Sequence, residues 1–216
     1  MRLLKLASLS FSGFFFLACF AFPVLVLFRH GLNFEILSNP ATLSVVRFTL
    51  FQASLSALIS LLIGVPLGLW SSRFSLTSRF LALPFAVPTL TAAIAWIHLL
   101  GRSGPLSSLG LAYSWKALVL AQIFLNIPWI ALWVSEAKQQ IPRSEVESAK
   151  ILGANSWSLF WTIFRPRLQW PIFSALSQVF NFCAMSFTLV LLLGGGPRVD
   201  TLETSIYTSL RFGTSD

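Results

Sequence analysis

Polar and apolar positions follow one another along this chain in long blocks. The uncharged stretches run 23 residues between Lys5 and Arg29, 25 between Arg47 and Arg73, and 22 between Arg79 and Arg102, with histidine counted as neutral. Two more run 19 residues between Lys116 and Glu136 and 30 between Arg167 and Arg198. A helix that crosses a bilayer needs about 20 such residues, because hydrocarbon offers the backbone no partner and the helix must satisfy its own amides and carbonyls. The pattern predicts five spanning helices, near 8–28, 48–70, 80–100, 117–135 and 169–193. The fold class that follows is all-α: a polytopic transmembrane helical bundle, read as a single domain over residues 1–216.

Composition agrees. The chain is 56% hydrophobic and 10% charged, whereas a soluble domain carries about 25% charged residues. The start, Met1-Arg-Leu-Leu-Lys5, resembles the basic end of a signal peptide, and Phe16-Leu-Ala-Cys19 hints at a cleavage box. The apolar stretch continues nine residues past Cys19, which is too long for a cleaved segment and predicts a retained helix. Cys19 and Cys183 both fall inside expected spans, as small packing residues rather than a disulfide or metal pair. A net charge of +8 in such a chain reflects topology and lipid head groups and gives no reason to invoke nucleic acid.

Charge also orients the chain. With a cytoplasmic N-terminus, nine basic residues (Arg2, Lys5, Arg73, Arg79, Lys138, Arg143, Lys150, Arg165 and Arg167) face inward. Six (Arg29, Arg47, Arg102, Lys116, Arg198 and Arg211) face outward. That bias has the sign of the positive-inside rule. It places segment 136–167 in the cytoplasm and 194–216 outside.

Segment 136–167 is the wettest part of the chain. Ser144 and Glu147 have the S-x-x-E spacing of a helix-capping box, and Val146, Ala149 and Ile151-Leu152 supply an apolar side. Gly153 is placed to stop that helix in left-handed geometry. Asn155 is placed to cap a second short helix through Trp157, Phe160, Trp161 and Ile163, which Pro166 limits. Helix, sharp turn and helix at the membrane surface cannot span anything. The element is shaped to dock.

Glu147-Ser148-Ala149, three residues, Gly153, nine residues, Ile163, one residue and Arg165-Pro166 resemble the "EAA" loop of ABC importer permeases, E-A-A-x3-G-x9-I-x-L-P. Ser148 and Arg165 are the departures, and Arg165 stands where the family has leucine. The resemblance implies a type I importer permease fold. It implies that Glu147, Ser148, Ala149, Gly153, Ile163 and Pro166 belong to a coupling loop gripped by a cytoplasmic ABC ATPase dimer. It also implies that ATP and Mg are used by that ATPase and that this chain binds no cofactor itself. Arg47–Ala57, Gly194–Pro197 and Thr201–Tyr207 resemble the thiamine transport permeases, with the iron(III) permeases as the alternative. Members of that group fuse two such halves, and this sequence resembles the first and ends before an expected sixth span. The resemblance therefore implies a second permease half or another permease copy, an external substrate-binding protein and a bacterial inner-membrane location.

Gln52, Ser56, Ser60, Gly64 and Gly68 recur every four residues, a small or polar ridge that favours close helix approach. Gln122, Asn126, Trp129 and Trp133 share one face of the fourth expected span, and Ser174, Gln178, Asn181 and Met185 share one of the fifth. Amides in hydrocarbon face a bundle interior or a wet cavity. Gln52, Gln122, Asn126, Trp129, Gln178 and Asn181 are thus the candidate translocation-pathway residues, with interhelical hydrogen bonding as the alternative. Pro23, Pro66, Pro84, Pro88 and Pro128 are expected to loosen their spans locally. No nucleophile elbow, zinc-protease motif or phosphate-binding glycine loop occurs, and His98 lacks companion ligands, so catalytic and metal residues are expected to be absent. An intramembrane hydrolase built on Ser174 or Ser177, or a passive scaffold, is the weaker class.

Overall fold

The structure is a computed structural model that describes residues 39–73, 80–81, 83–194, 196 and 199–213. The chain divides into two units, residues 1–43 and 44–216, and the account below concerns the second. The expected first span at 8–28, with Cys19, lies outside the described residues, as do Arg79, Pro197 and Arg198.

Helix α1 (Pro40–Ser71) has 32 residues and α3 (Trp115–Gln139) has 25, and both are long and apolar enough to cross a membrane. Between them α2 (Thr89–Leu100) has only 12 residues, about 18 Å at 1.5 Å per residue. The uncharged run 80–100 is therefore not one spanning helix. Pro84 sits in a 3-10 turn at Leu83–Ala86, and Pro88 caps α2, so neither can donate into a continuous α-ladder.

After α3 come α4 (Arg143–Ile151) and the one-turn α5 (Ser156–Leu159). A π-helical turn at Phe160–Phe164 then leads directly into α6 (Arg165–Ala184) and α7 (Phe187–Leu193). Pro166 does not end the second helix, contrary to the expectation from sequence. The Arg165 amide donates to the Phe160 carbonyl, five residues back, and this widened turn carries the chain past the proline. Helix Ser156–Ala184 and α7 together pass as one broken span, bent by 50° at Met185–Ser186. Helix α8 (Leu202–Phe212) starts from a Thr201/Thr204 capping box, and the Leu202 amide donates to Thr49 Oγ1 of α1 at 3.2 Å. No strand occurs among the described residues.

The core has two parts. Ala53 and Ala57 of α1, Ile130 and Val134 of α3, and Ala175, Val179 and Cys183 of α6 form the first. Ala93 of α2, Leu118 and Ala121 of α3, and Leu189, Val190 and Leu193 of α7 form the second. The four-residue ridge of α1 is buried along its length. A Cβ at Gly64 would lie 2.8 Å from Ile130 Cβ, and one at Gly68 would lie 2.5 Å from the Ala131 carbonyl oxygen. The two long helices meet too closely there for any side chain on α1.

Candidate functional site

The break at Met185–Ser186 leaves the Cys183 carbonyl without the helical donor it would have at position 187, because the Phe187 amide donates to Met185 instead. Three side chains replace that donor. Gln52 Nε2 of α1 reaches the Cys183 oxygen at 3.0 Å, Gln122 Nε2 of α3 at 3.2 Å, and Ser186 Oγ at 3.0 Å. Gln122 also accepts from Ser56 Oγ at 2.7 Å and donates to Ser186 Oγ at 2.6 Å. Asn126 Nδ2 donates to the Gln122 carbonyl at 2.8 Å. Broken helices persist in lipid only where neighbours satisfy the freed backbone, and buried amides from two other helices do so here.

Beside this knot lies a cavity of about 500 Å³, within the size range of small-molecule sites. Gln122, Asn126, Gln178 and Asn181 all line it, joined by Phe182, Met185 and Ser186 at the break and by Thr89 at the start of α2. None of its lining side chains is ionisable. The pathway candidates thus divide. Gln178 and Asn181 are exposed on α6. Gln122 and Asn126 touch the cavity while bonded into the core. Gln52 is fully buried and serves the break. Trp129 is not in the lining; it packs against Trp133 at 5.9 Å and Phe182 at 5.6 Å between ring centres, one side chain behind the cavity wall. Ser186 and the Cys183 carbonyl escaped the sequence reading, since no local signal marks a helix break that lacks proline or glycine.

The surface loop is built differently at its two ends. Helix α4 begins at Arg143 with Pro142 as its cap and no side-chain cap bond, so the expected Ser144–Glu147 capping box does not form. Starting two residues early puts Ser144 inside the first turn, where its hydroxyl cannot cap the Glu147 amide. Glu145 pairs instead with Arg167 at 2.5 Å, linking α4 to the foot of α6. At the other end Gly153 adopts φ +88°. The Gly153 amide donates to Lys150 and the Ala154 amide to Ala149, both at 2.9 Å, which is the Schellman closure. Asn155 Oδ1 then accepts from the Ser158 amide at 2.8 Å and starts α5.

Glu147, Ser148, Gly153 and Pro166 are exposed, while Ala149 and Ile163 are half-buried. Ile151 and Leu152 at the tip are 86% and 87% exposed, and Trp157 beyond the turn is 69% exposed. Such apolar side chains presented together mark a protein or lipid contact. Arg165, the departure from the family leucine, lays its guanidinium over the Trp161 ring at 4.6 Å.

A helical bundle with a broken span, a cavity edged by amides at the break and a solvent-exposed helix–turn–helix fits a membrane permease. Over residues 11–214 the chain matches, and belongs to, the family described as binding-protein-dependent transport system inner membrane component. The family is one of membrane transport components. Among its relatives, the thiamine transport system permease protein of Brucella abortus strain 2308 is 35% identical over 183 residues, covering 78% of this chain and 34% of the relative. That of Escherichia coli K12 is 34% identical over 182 residues, with the same coverage. The sulfate transport system permease protein of E. coli K12 is 25% identical over 185 residues, covering 81% of this chain and 64% of the relative. The chain thus spans about a third of the length of the thiamine permeases it resembles.

Proposed function

We propose that the chain forms part of the translocation pathway of an ATP-driven importer for thiamine or its phosphate esters. A separate cytoplasmic ATPase dimer would drive it through the α4–turn–α5 element. A second permease half or copy and an external binding protein would complete the assembly, with the N-terminus in the cytoplasm. ATP and Mg would be used by the ATPase alone. The observation that carries the substrate is the identity of about a third to thiamine permeases over most of this chain.

The cavity is compatible with that cargo. Amide oxygens of Gln178 and Asn181 and the Phe182 ring can face a cationic heterocycle, and among the described residues no carboxylate lines the cavity to trap it. The sulfate relative supports a second reading, in which amide and hydroxyl donors of the same lining would face an anion. Uptake separates them. Cells expressing this chain with its complementary half, ATPase and binding protein should accumulate labelled thiamine in an ATP-dependent way. Uptake of sulfate or iron(III) without thiamine would overturn the substrate and leave the transport role standing.

A further inference from the structure

Two hollows adjoin where α1 and α3 end beside α4. The first, of about 800 Å³, is lined by Arg73 just past α1, Lys138 of α3, and Arg143 and Lys150 of α4, with Glu147 as its one carboxylate. The second, of about 500 Å³, is lined by Pro66, Leu69, Phe160, Phe164 and Leu168. Arg73, Lys138 and Phe164 line both, so the basic hollow borders the apolar one. Lys138 spends one proton on the Leu69 carbonyl at 2.8 Å, which leaves two donors. Among the described residues Arg73, Arg143 and Lys150 form no ion pair.

Four cations and one carboxylate, next to an apolar trough beside two membrane-length helices, call for a ligand with two unlike ends. One end must be anionic and accept several hydrogen bonds; the other must be hydrocarbon. A free phosphate would use only the first hollow, and a lipid without net charge only the second. Neither hollow includes the exposed tip of Ile151, Leu152 and Trp157, so a protein docking at that tip does not account for them.

We propose that the paired hollows bind an anionic phospholipid, its phosphate held among the four basic side chains and its acyl chain lying in the apolar trough. Guanidinium and ammonium donors suit a phosphate oxygen, and basic pockets between helix ends are the recurring form of such sites. The bound lipid would tie the ends of α1 and α3 to α4, whose own covalent links to the bundle are short turns. This site is independent of what the importer carries.

The test titrates the full chain in detergent with phosphatidylglycerol, with phosphatidylcholine of the same acyl chains, and with inorganic phosphate, reading bound lipid by native mass spectrometry. Phosphatidylglycerol should bind saturably, phosphatidylcholine about tenfold more weakly, and phosphate should not displace the lipid. Arg73→Gln with Arg143→Gln should weaken phosphatidylglycerol about thirtyfold. Arg73→Lys with Arg143→Lys keeps the charge and should bind within about threefold of the parent. Equal binding of both lipids overturns the proposal, as does displacement by phosphate at matching concentration. So does an unaffected Gln pair, or a Lys pair as impaired as the Gln pair, which would assign those arginines a structural role only.

Discussion

Gly153 shows how much of the docking element rests on one residue. Its φ of +88° lies where L side chains are disfavoured, yet a Cβ built there meets nothing within 4 Å. The cost of replacement is therefore backbone strain without clash. Gly153→Ala should destabilise the turn by about 1–2 kcal/mol, and Gly153→Val by more, because β-branching adds to the left-handed penalty. Membrane insertion should survive while co-purification of the partner ATPase falls in the order Gly, Ala, Val. An undiminished complex with the Val variant would remove this turn from coupling. Gln122 is the counterpart inside the bundle. Gln122→Leu keeps the volume but removes a donor from the Cys183 carbonyl and strands Ser56. Interhelical bonds of this kind in membranes are worth about 1 kcal/mol each, so loss of the set should lower thermal stability in detergent by roughly 1–3 kcal/mol. Gln178→Leu, on the exposed cavity wall, should leave stability within about 0.5 kcal/mol and change transport instead.

Elements were legible where apolarity and continuity coincide and obscure where they part. The runs 48–70 and 117–135 lie inside α1 and α3, where Pro66 and Pro128 each remove one ladder donor without ending the helix, and the small ridge from Gln52 to Gly68 meets its neighbour as the spacing implies. The run 169–193 is equally free of charge, but its break falls at Met185–Ser186, which contains no proline, while Pro166 and Pro171 sit within continuous helix. What stabilises the break is amides on α1 and α3, and their convergence is a tertiary fact that no single segment encodes. The Gly153 stop and the Asn155 cap were readable because each is a local geometric demand. The Ser144–Glu147 box failed because Pro142 preset the first turn two residues earlier. The widened turn before Pro166 carries its own prediction. Replacing Pro166 with Ala restores a donor and should let Phe160–Phe164 relax toward α-geometry, rotating α4–α5 against α6 by up to about 100°, one residue's worth. Cysteines at Glu145 and Arg167, whose longer native side chains now touch at their tips, should be bridged by a short bifunctional thiol reagent in the Pro166 parent and poorly in Pro166→Ala. Equal cross-linking would show that the proline does not hold the turn open.

For the whole molecule the decisive question is whether α6 and α7 cross the membrane or turn back. Helix α6 has 20 residues, about 30 Å, the thickness of the hydrocarbon core, and it is apolar enough to span only when α7 is counted with it. The bend of 50° deflects α7 without reversing it. The surface loop before α6 and helix α8 after α7 should therefore face opposite compartments. That also fits the excess of basic residues assigned to the loop side. Ser156 is an exposed reporter for the loop. Thr204 is a poor one for α8, being 3% exposed and engaged in the capping box, whereas Ser209 is exposed. With Cys19 and Cys183 replaced by Ala, single cysteines at Ser156 and Ser209 should react with a membrane-impermeant maleimide from opposite sides of sealed vesicles. In right-side-out vesicles Ser209→Cys should label directly and Ser156→Cys only after permeabilisation. Direct labelling of both would mean that the broken pair is a re-entrant loop, and the docking element and α8 would then share one face. Direct labelling of Ser156→Cys alone would keep the crossing and invert the bundle, placing α4–α5 where no cytoplasmic ATPase could reach it.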